Sequence, residues 1–359
     1  MKVQVSAPGK LFLAGEYAVV EAGYPAMIAA MNQYLTVTIE TSNSGTVFSS
    51  QQGIMIPWER SGEEIMPQSG SSYALIFSAM RVAEAYVRAL GQQTVALYAL
   101  SVDSQLDDSQ SGTKYGLGSS GALTVATIKA VLAYHGQEVD AYRLYQLASL
   151  SQLQLGMAGS FGDLAASSYG GVIAYHSLDR DWLKGLLEEH TLLEILDMPW
   201  KDVKIERLSL PAPLSLLIGW TGQAASTDSL VNQVGQGRSQ DEKENSHRDF
   251  LQKSKVCLGG IIWACQQGDA ERFQAGIAEN RRLLQEFAHK MDLNIETLAL
   301  AKLCQLAEEE GAVAKSSGAG GGDCGIAFAS QVQQAEKIHH KWRSAGILPL
   351  NLNLADEMK

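Results

Sequence analysis

Three segments of the chain combine clustered glycines with a lysine. They are Ala7-Pro8-Gly9-Lys10-Leu11-Phe12-Leu13-Ala14-Gly15-Glu16-Tyr17, Lys114-Tyr115-Gly116-Leu117-Gly118-Ser119-Ser120-Gly121-Ala122, and Lys315-Ser316-Ser317-Gly318-Ala319-Gly320-Gly321-Gly322-Asp323-Cys324. Glycine lets successive backbone N–H groups converge on an anion with no Cβ in the way, and an ammonium adds charge without demanding bidentate geometry. The chemistry this composition suits is the binding of phosphate groups. The middle segment is the most informative, because it ends at a helix predicted to begin near Ala122. Its amides and the positive end of the helix would both face a ligand, and a polyphosphate is the natural occupant. Ser119 and Ser120 can cap that helix, or one of them, Ser120, can reach a magnesium ion; both roles stay open at this point.

Two other phosphate motifs fit less well. Gly116-x-Gly118-x-x-Gly121 satisfies the dinucleotide fingerprint, and Glu138 and Asp140 lie near the expected spacing, but that fingerprint needs an apolar strand running into its first glycine. Here the polar Asp107-Asp108-Ser109-Gln110-Ser111-Gly112-Thr113 precedes it. A P-loop closes on Gly-Lys-Ser/Thr, whereas the lysine here comes before the glycines and Ala122 follows them. In the first segment Lys10 and Glu16 are the only charges around a short apolar strand, and the plain role for Lys10 is an exposed turn lysine. The last segment runs from Lys-Ser-Ser through glycines into an apolar strand, which suits a ligand-facing turn better than a linker. A fourth stretch, Gly159-Ser160-Phe161-Gly162-Asp163-Leu164, holds an acid whose ordinary use is at a helix start. Facing the phosphate loops would give Asp163 a different use.

These segments need a scaffold, and the rest of the chain supplies one. It has 359 residues, 46% hydrophobic and 19% charged, which suits two compact units and excludes charge-driven disorder. A formal charge of −11 argues against a broad nucleic-acid or anionic-membrane footprint, so any anion must be held locally. Lys2–Ser6, Leu35–Glu40 and Thr94–Leu100 alternate like half-buried strands, while Tyr73–Leu90, Leu123–Tyr134 and Tyr142–Gln154 have helical spacing. Beyond them, strands are expected at 170–175, 203–210, 214–220 and 347–352, and helices at 181–189, 249–267, 270–290 and 295–310. The polar stretch Gly235–His247 reads as a mobile loop. The pattern restarts near residue 200, which is the expected domain boundary. Tyr73 and Trp58 are aromatic candidates for a purine contact, with core packing the plainer role. Leu11–Met31 is apolar but carries Glu16, Glu21, Gly23 and Pro25, which a membrane span or signal-peptide core would avoid. The four cysteines have no zinc spacing and read as reduced core thiols. Together these features suggest a cytoplasmic protein without a structural metal.

In that order, the segments Pro8–Glu16, Lys114–Ala122 and Lys315–Asp323 resemble the three motifs of the GHMP kinase superfamily, spanning nearly the whole chain. The wording Lys-Tyr-Gly-Leu-Gly-Ser-Ser-Gly-Ala, Gly-Ser-Phe-Gly-Asp-Leu-Ala, Gly-Trp-Thr-Gly (219–222) and Lys-Ser-Ser-Gly-Ala-Gly-Gly-Gly-Asp-Cys-Gly is similar to the bacterial branch that acts on 5-phosphomevalonate. The resemblance implies an α+β chain of two domains: residues 1–200 as an N-terminal α/β ATP-binding domain, and 201–359 as a ferredoxin-like C-terminal domain. The active site would lie in the cleft between them. It implies ATP phosphates on Lys114, Gly116, Leu117, Gly118, Ser119, Ser120, Gly121 and Ala122, with Mg²⁺ near Ser120. Lys10, Ser160 and Asp163 would surround the transferring phosphoryl group, Lys10 and Asp163 being the catalytic pair. Glu16, Tyr17, Ser226, Thr227, Ser316, Gly318, Ala319 and Gly320 would complete the acceptor side, with Lys114 and Lys315 as cations for a phosphorylated acceptor. Mevalonate and homoserine kinases place a magnesium-binding glutamate about eleven residues before the Asp163 position, where this chain has the uncharged Gln152. That leaves Mg²⁺ to phosphate oxygens, Ser120 and water. The implied reaction is in-line transfer of the ATP γ-phosphoryl group to the phosphate of 5-phosphomevalonate. Mevalonate kinase, diphosphomevalonate decarboxylase and a nucleotide-binding protein without turnover are the competing readings. Small-molecule substrates are the only partners implied, with no nucleic acid, membrane or obligate protein partner.

Overall fold

Alternating apolar residues make β1 (Lys2–Ala14) and β2 (Pro25–Thr41) a long antiparallel pair, and a register shift between Pro8 and Gly9 falls immediately before Lys10. The computed structural model describes residues 1–68, 73–94, 97–107, 115–222 and 240–357, so Lys114, Ser226 and Thr227 lie outside the described residues. On its other edge β2 pairs β7 (Val172–His176) through its first residues and β6 (Tyr98–Ser104) through its last. The sheet continues through β3 (Gly45–Ser49), β4 (Ile54–Ser61) and β5 (Glu64–Pro67) on one side and β8 (Lys204–Leu208) on the other, in the order β5-β4-β3-β6-β2-β7-β8.

Helices α1 (Ala74–Ala89), α2 (Ser119–Tyr134), α3 (Ala141–Gln154) and α4 (Gly162–Tyr169) pack together, α2 and α4 lying directly on β1 and β2. Two shorter helices, α5 (Arg180–Glu189) and α6 (Leu192–Asp197), follow β7. A second sheet, all antiparallel, has the order β10-β11-β9-β12 and is formed by β9 (Ser215–Trp220), β10 (Val313–Ser316), β11 (Cys324–Ala329) and β12 (Leu348–Leu350). It is accompanied by α7 (Gln240–Gln267), α8 (Ala270–Met291), α9 (Leu298–Glu308) and α10 (Val332–Ser344). Ile28 of β2 approaches Gly162 of α4, whereas its neighbour Met27 meets Cys265 of α7. Successive strand residues point to opposite faces, so β2 is covered by α4 on one side and α7 on the other. Lys10 therefore starts from a strand pair covered on both faces.

The strands divide between β8 and β9: Lys204–Leu208 completes the first sheet, a few residues beyond the expected boundary at 200. The C-terminal tail also crosses back, with Ala355 donating to the Ala30 carbonyl at 2.8 Å and Asn32 donating to Asn353 at 2.9 Å. Residues 240–247, expected as loop, belong to α7, whose first turn carries Asp241 and Glu242 in favourable interaction with the helix dipole. The short helix α6 is marked in the sequence by its start rather than by apolar spacing. Thr191 and Glu194 form a full capping box. Among the described residues, no helix is long and apolar enough to cross a membrane, and all four cysteines are free thiols.

Candidate active site

The glycines of the middle segment are sites of close approach rather than of flexibility. Leu117 accepts a hydrogen bond from the Lys10 backbone N–H at 2.7 Å, which clamps the loop onto β1. Gly118 has φ +75°, and a Cβ there would lie 2.7 Å from Lys10 Cε. A Cβ on Gly121 would lie 2.6 Å from Asp163 Oδ2, and one on Gly116 would lie 2.5 Å from Asp323 Oδ2. Three side chains from three distant parts of the chain thus lie against one loop, each admitted by the absence of a methyl group. The loop ends in α2, which begins at Ser119, three residues earlier than the expected start near Ala122, with Gly118 as a left-handed N-cap. Its N-cap is a glycine and supplies no side-chain cap. Ser119 and Ser120 stand in its first turn, where backbone amides lack intrahelical acceptors.

Lys10 donates from Nζ to the Gly116 carbonyl at 3.2 Å and sits 5.5 Å from the Phe12 ring centre. Burial draws its pKa below the ordinary lysine range, opposed chiefly by the negative charges of Asp163 and Asp323 and, less, of Glu16. Asp163 occupies the first turn of α4, where burial raises its pKa, while Lys10 and the backbone N–H groups of Leu164 and Asp163 pull it back. The two groups thus set an acid and an amine against the same loop, coupled through their charges. Their placement is held from behind. Ser167 of α4 donates to the Pro8 carbonyl at 2.7 Å, tying the helix of Asp163 to the strand of Lys10. The turn before α4 holds Phe161 at φ +59°, and Tyr175 donates to the Ser160 carbonyl at 2.5 Å while meeting the Tyr145 hydroxyl at 3.0 Å. Ser160 Oγ accepts the Gly162 N–H at 3.3 Å.

The third segment reaches the same place from the second sheet. Lys315 is fully buried, with its ammonium on Glu16 and on the Ser316 carbonyl. This corrects the expectation that Lys315 supplies a cation to the acceptor pocket: its charge is consumed inside the protein. Glu16, also buried, accepts the Gly318 N–H at 3.3 Å as well. It holds the glycine turn rather than facing open space. Ser316 is likewise buried within β10. Tyr17, at φ +63°, donates from its hydroxyl to the Ala319 carbonyl at 2.6 Å, and Gly321 donates to Ile295 at 2.9 Å. A Cβ on Gly320 would collide with the Ile295 backbone. The turn 318–322 is therefore fastened from several sides against the end of β1.

Beside Ser119 and Ser120 lies a cavity of 410 Å³, lined also by Tyr73, Gln51, Gln52 and Asp107. Tyr73 borders it, whereas Trp58 is core, packed 4.9 Å from Tyr98. A magnesium ion fits these surroundings only as a companion of phosphate. Ser120 is exposed at the helix start, and no group of three His, Cys, Asp or Glu able to hold a metal occurs among the described residues. Gln152 is buried and donates to Thr124 Oγ1 at 3.2 Å, bringing no negative charge to the site. The residue that sequence reasoning left unassigned is Asp323. The readable signal was an acid inside a glycine turn, where a residue serving only chain flexibility has no need of charge.

Residues 74–171 match the family model for the GHMP kinases N terminal domain and residues 261–348 that for GHMP kinases C terminal. The chain is 38% identical to a phosphomevalonate kinase from Streptomyces sp. (strain CL190), over 98% of this chain and 96% of that protein. The solved structure of the Lin0012 protein from Listeria innocua superposes with a TM-score of 0.92 at 37% identity, covering 100% of this chain and 99% of that one. Streptococcus pneumoniae phosphomevalonate kinase in complex with phosphomevalonate and AMPPNP superposes with a TM-score of 0.85 at 30% identity, covering 98% and 99%. The chain belongs to the GHMP kinase family, and its reaction class is ATP-dependent phosphoryl transfer.

Proposed function

We propose that the protein transfers the γ-phosphoryl group of ATP to the phosphate of (R)-5-phosphomevalonate, giving ADP and (R)-5-diphosphomevalonate. The observation that carries this reading is the packing of Lys10 and Asp163 directly against the Gly116–Gly121 loop. The full-length similarity to phosphomevalonate kinases selects the acceptor. The triphosphate would lie on the amides of residues 116–122, with the nucleoside in the 410 Å³ cavity. The acceptor would enter between Lys10, Ser160 and the turn at 318–320. The Lys10 ammonium neutralises charge shared by donor and acceptor oxygens as the phosphoryl group passes between them. A phosphomonoester with a second pKa near 6 is mostly dianionic at pH 7, so it attacks without a strong base. Asp163 then serves chiefly to hold Lys10 and the acceptor, and Lys10 contributes more to turnover than Asp163 does. Bound Mg²⁺ would supply further charge neutralisation at the phosphates, with Ser120 as its protein contact. Lys114, Ser226 and Thr227 remain assigned to the ATP and acceptor phosphates from sequence. The same proposal includes a cytoplasmic location, action without an obligate protein partner, and two domains, 1–200 carrying the ATP-binding loop and 201–359 closing the cleft from the other side.

The test is to mix the protein with Mg·ATP and, separately, mevalonate, 5-phosphomevalonate or 5-diphosphomevalonate, following phosphorus resonances and released carbon dioxide. New diphosphate resonances with 5-phosphomevalonate alone are expected. Turnover with a different acceptor overturns the acceptor assignment, and ATP binding without turnover of any acceptor favours a binding protein.

A further inference from the structure

Asp323 stands at the junction of the glycine turn and β11, with φ +51°, a conformation Asp tolerates better than most residues. Its carbonyl accepts two bonds from Thr221, from the backbone N–H at 3.0 Å and from Oγ1 at 3.1 Å, which fixes the direction of its side chain. Next to it, Cys324 donates to the Tyr115 carbonyl at 3.2 Å, pinning the start of β11 to the entry of the phosphate loop. The carboxylate lies on Gly116, close enough that a Cβ there would be 2.5 Å from Oδ2 and 2.7 Å from Cγ. The Gly116 carbonyl in turn receives the Lys10 ammonium. A carboxylate beside a loop built for phosphates repels the ligand, so its presence there calls for a compensating use.

We propose that Asp323 is a positioning residue for phosphoryl transfer, steadying the Lys10 ammonium at the Gly116 carbonyl and tying that placement to the seating of the second sheet. Asp163 adds its negative charge near Lys10 from α4 and Asp323 from the start of β11, so the amine feels both halves of the molecule. The titratable groups facing Lys10 are Asp163 on α4, Asp323 and Cys324 at the start of β11, and Glu16 after β1. Of these, Asp163 contributes most toward keeping the amine charged and Asp323 is next. Glu16 is committed to Lys315, and burial holds the Cys324 thiol well above its ordinary range, hence neutral. Removing Asp323 leaves Asp163 as the main counter-charge.

This inference rests on the kinase reading, and the experiment separates the two. Asp323→Asn keeps the size and the tolerance of positive φ while removing the charge. Titration of Lys10 is followed by the NMR shift of its ¹³Cε in substrate-free protein, and kcat is measured against pH with Mg·ATP and 5-phosphomevalonate. In the variant the Lys10 titration and the basic limb of kcat are expected to move together to lower pH. The plateau kcat should fall about tenfold or more, the scale of a mispositioned group, with KM for both anions unchanged or lower. An unchanged Lys10 titration overturns the proposal, as does a loss of kcat accompanied by a lowered melting temperature and an unmoved basic limb, which is the mark of a purely structural role. Absence of turnover by the unsubstituted protein would remove the kinase reading, while the NMR titration would still decide whether Asp323 holds Lys10.

Discussion

Gly121→Ala separates the geometry of the site from the stability of the fold. Gly121 lies in the first turn of α2, and its φ is not positive, so alanine is compatible with its backbone and should add up to about 1 kcal/mol of helix propensity. Ordinary contact begins at 3.4 Å, whereas the new Cβ would stand 2.6 Å from Asp163 Oδ2 and 2.8 Å from its Cγ, so the carboxylate must retreat by 0.8 Å. Asp163 has little room to do so, because α4 is tied to Pro8 and its N-terminal turn to Tyr175. A displacement near 1 Å of a positioned group costs on the order of 100-fold in rate. The expected result is therefore kcat reduced roughly 100-fold with a melting temperature changed by no more than a few degrees. ADP release is followed in a coupled assay with 5-phosphomevalonate, and unfolding by calorimetry. Gly185→Ala is the control: also helical, with nothing within 4 Å of its Cβ, it should gain stability and keep full activity. If Gly121→Ala keeps kcat within threefold, the placement of Asp163 against the loop is not what turnover depends on. A collapse in stability would show instead that the collision is with packing that cannot yield.

Other perturbations test the remaining links. Because Asp163 ionises above the usual carboxylate range and Lys10 deprotonates below the usual lysine range, kcat should rise with pH as Asp163 ionises and fall as Lys10 loses its proton. A profile that stays flat through the ordinary lysine range contradicts the burial of Lys10. Breaking the Glu16–Lys315 pair by Lys315→Met strands a buried carboxylate and should cost about 3–5 kcal/mol in denaturant unfolding. Adding Glu16→Gln should restore much of that loss, and an equal loss in both variants would mean that the pair is not coupled. Tyr175→Phe deprives the Ser160 carbonyl and the Tyr145 hydroxyl of their shared partner. It should lower stability by about 1–3 kcal/mol and reduce kcat through the turn leading to Asp163, both read on the same preparation.

Much of this molecule was already written in residue types and spacing. A glycine turn of close approach was legible at Gly116–Gly121 because the absence of Cβ and the position before a helix are local properties, and helix and strand periods placed α1, α3, α8 and β9 closely. Local pattern was silent or misleading where long-range packing decides. Lys315 and Lys10 both read as lysines beside glycines, yet one is neutralised by Glu16 from the far end of the chain and the other donates to Gly116 in the middle glycine turn. The short strands β3–β5 draw their pairing from neighbours rather than from strong alternation of their own. Asp323 gained its meaning only when β11 brought it onto Gly116, 207 residues away in sequence. The sequence by itself determined the chemical vocabulary: glycine turns for phosphate, amines for charge, an acid to orient them. Which amine and which acid meet was left to the tertiary structure, because the energy of a buried charge depends on partners that only the packed sheets bring within reach.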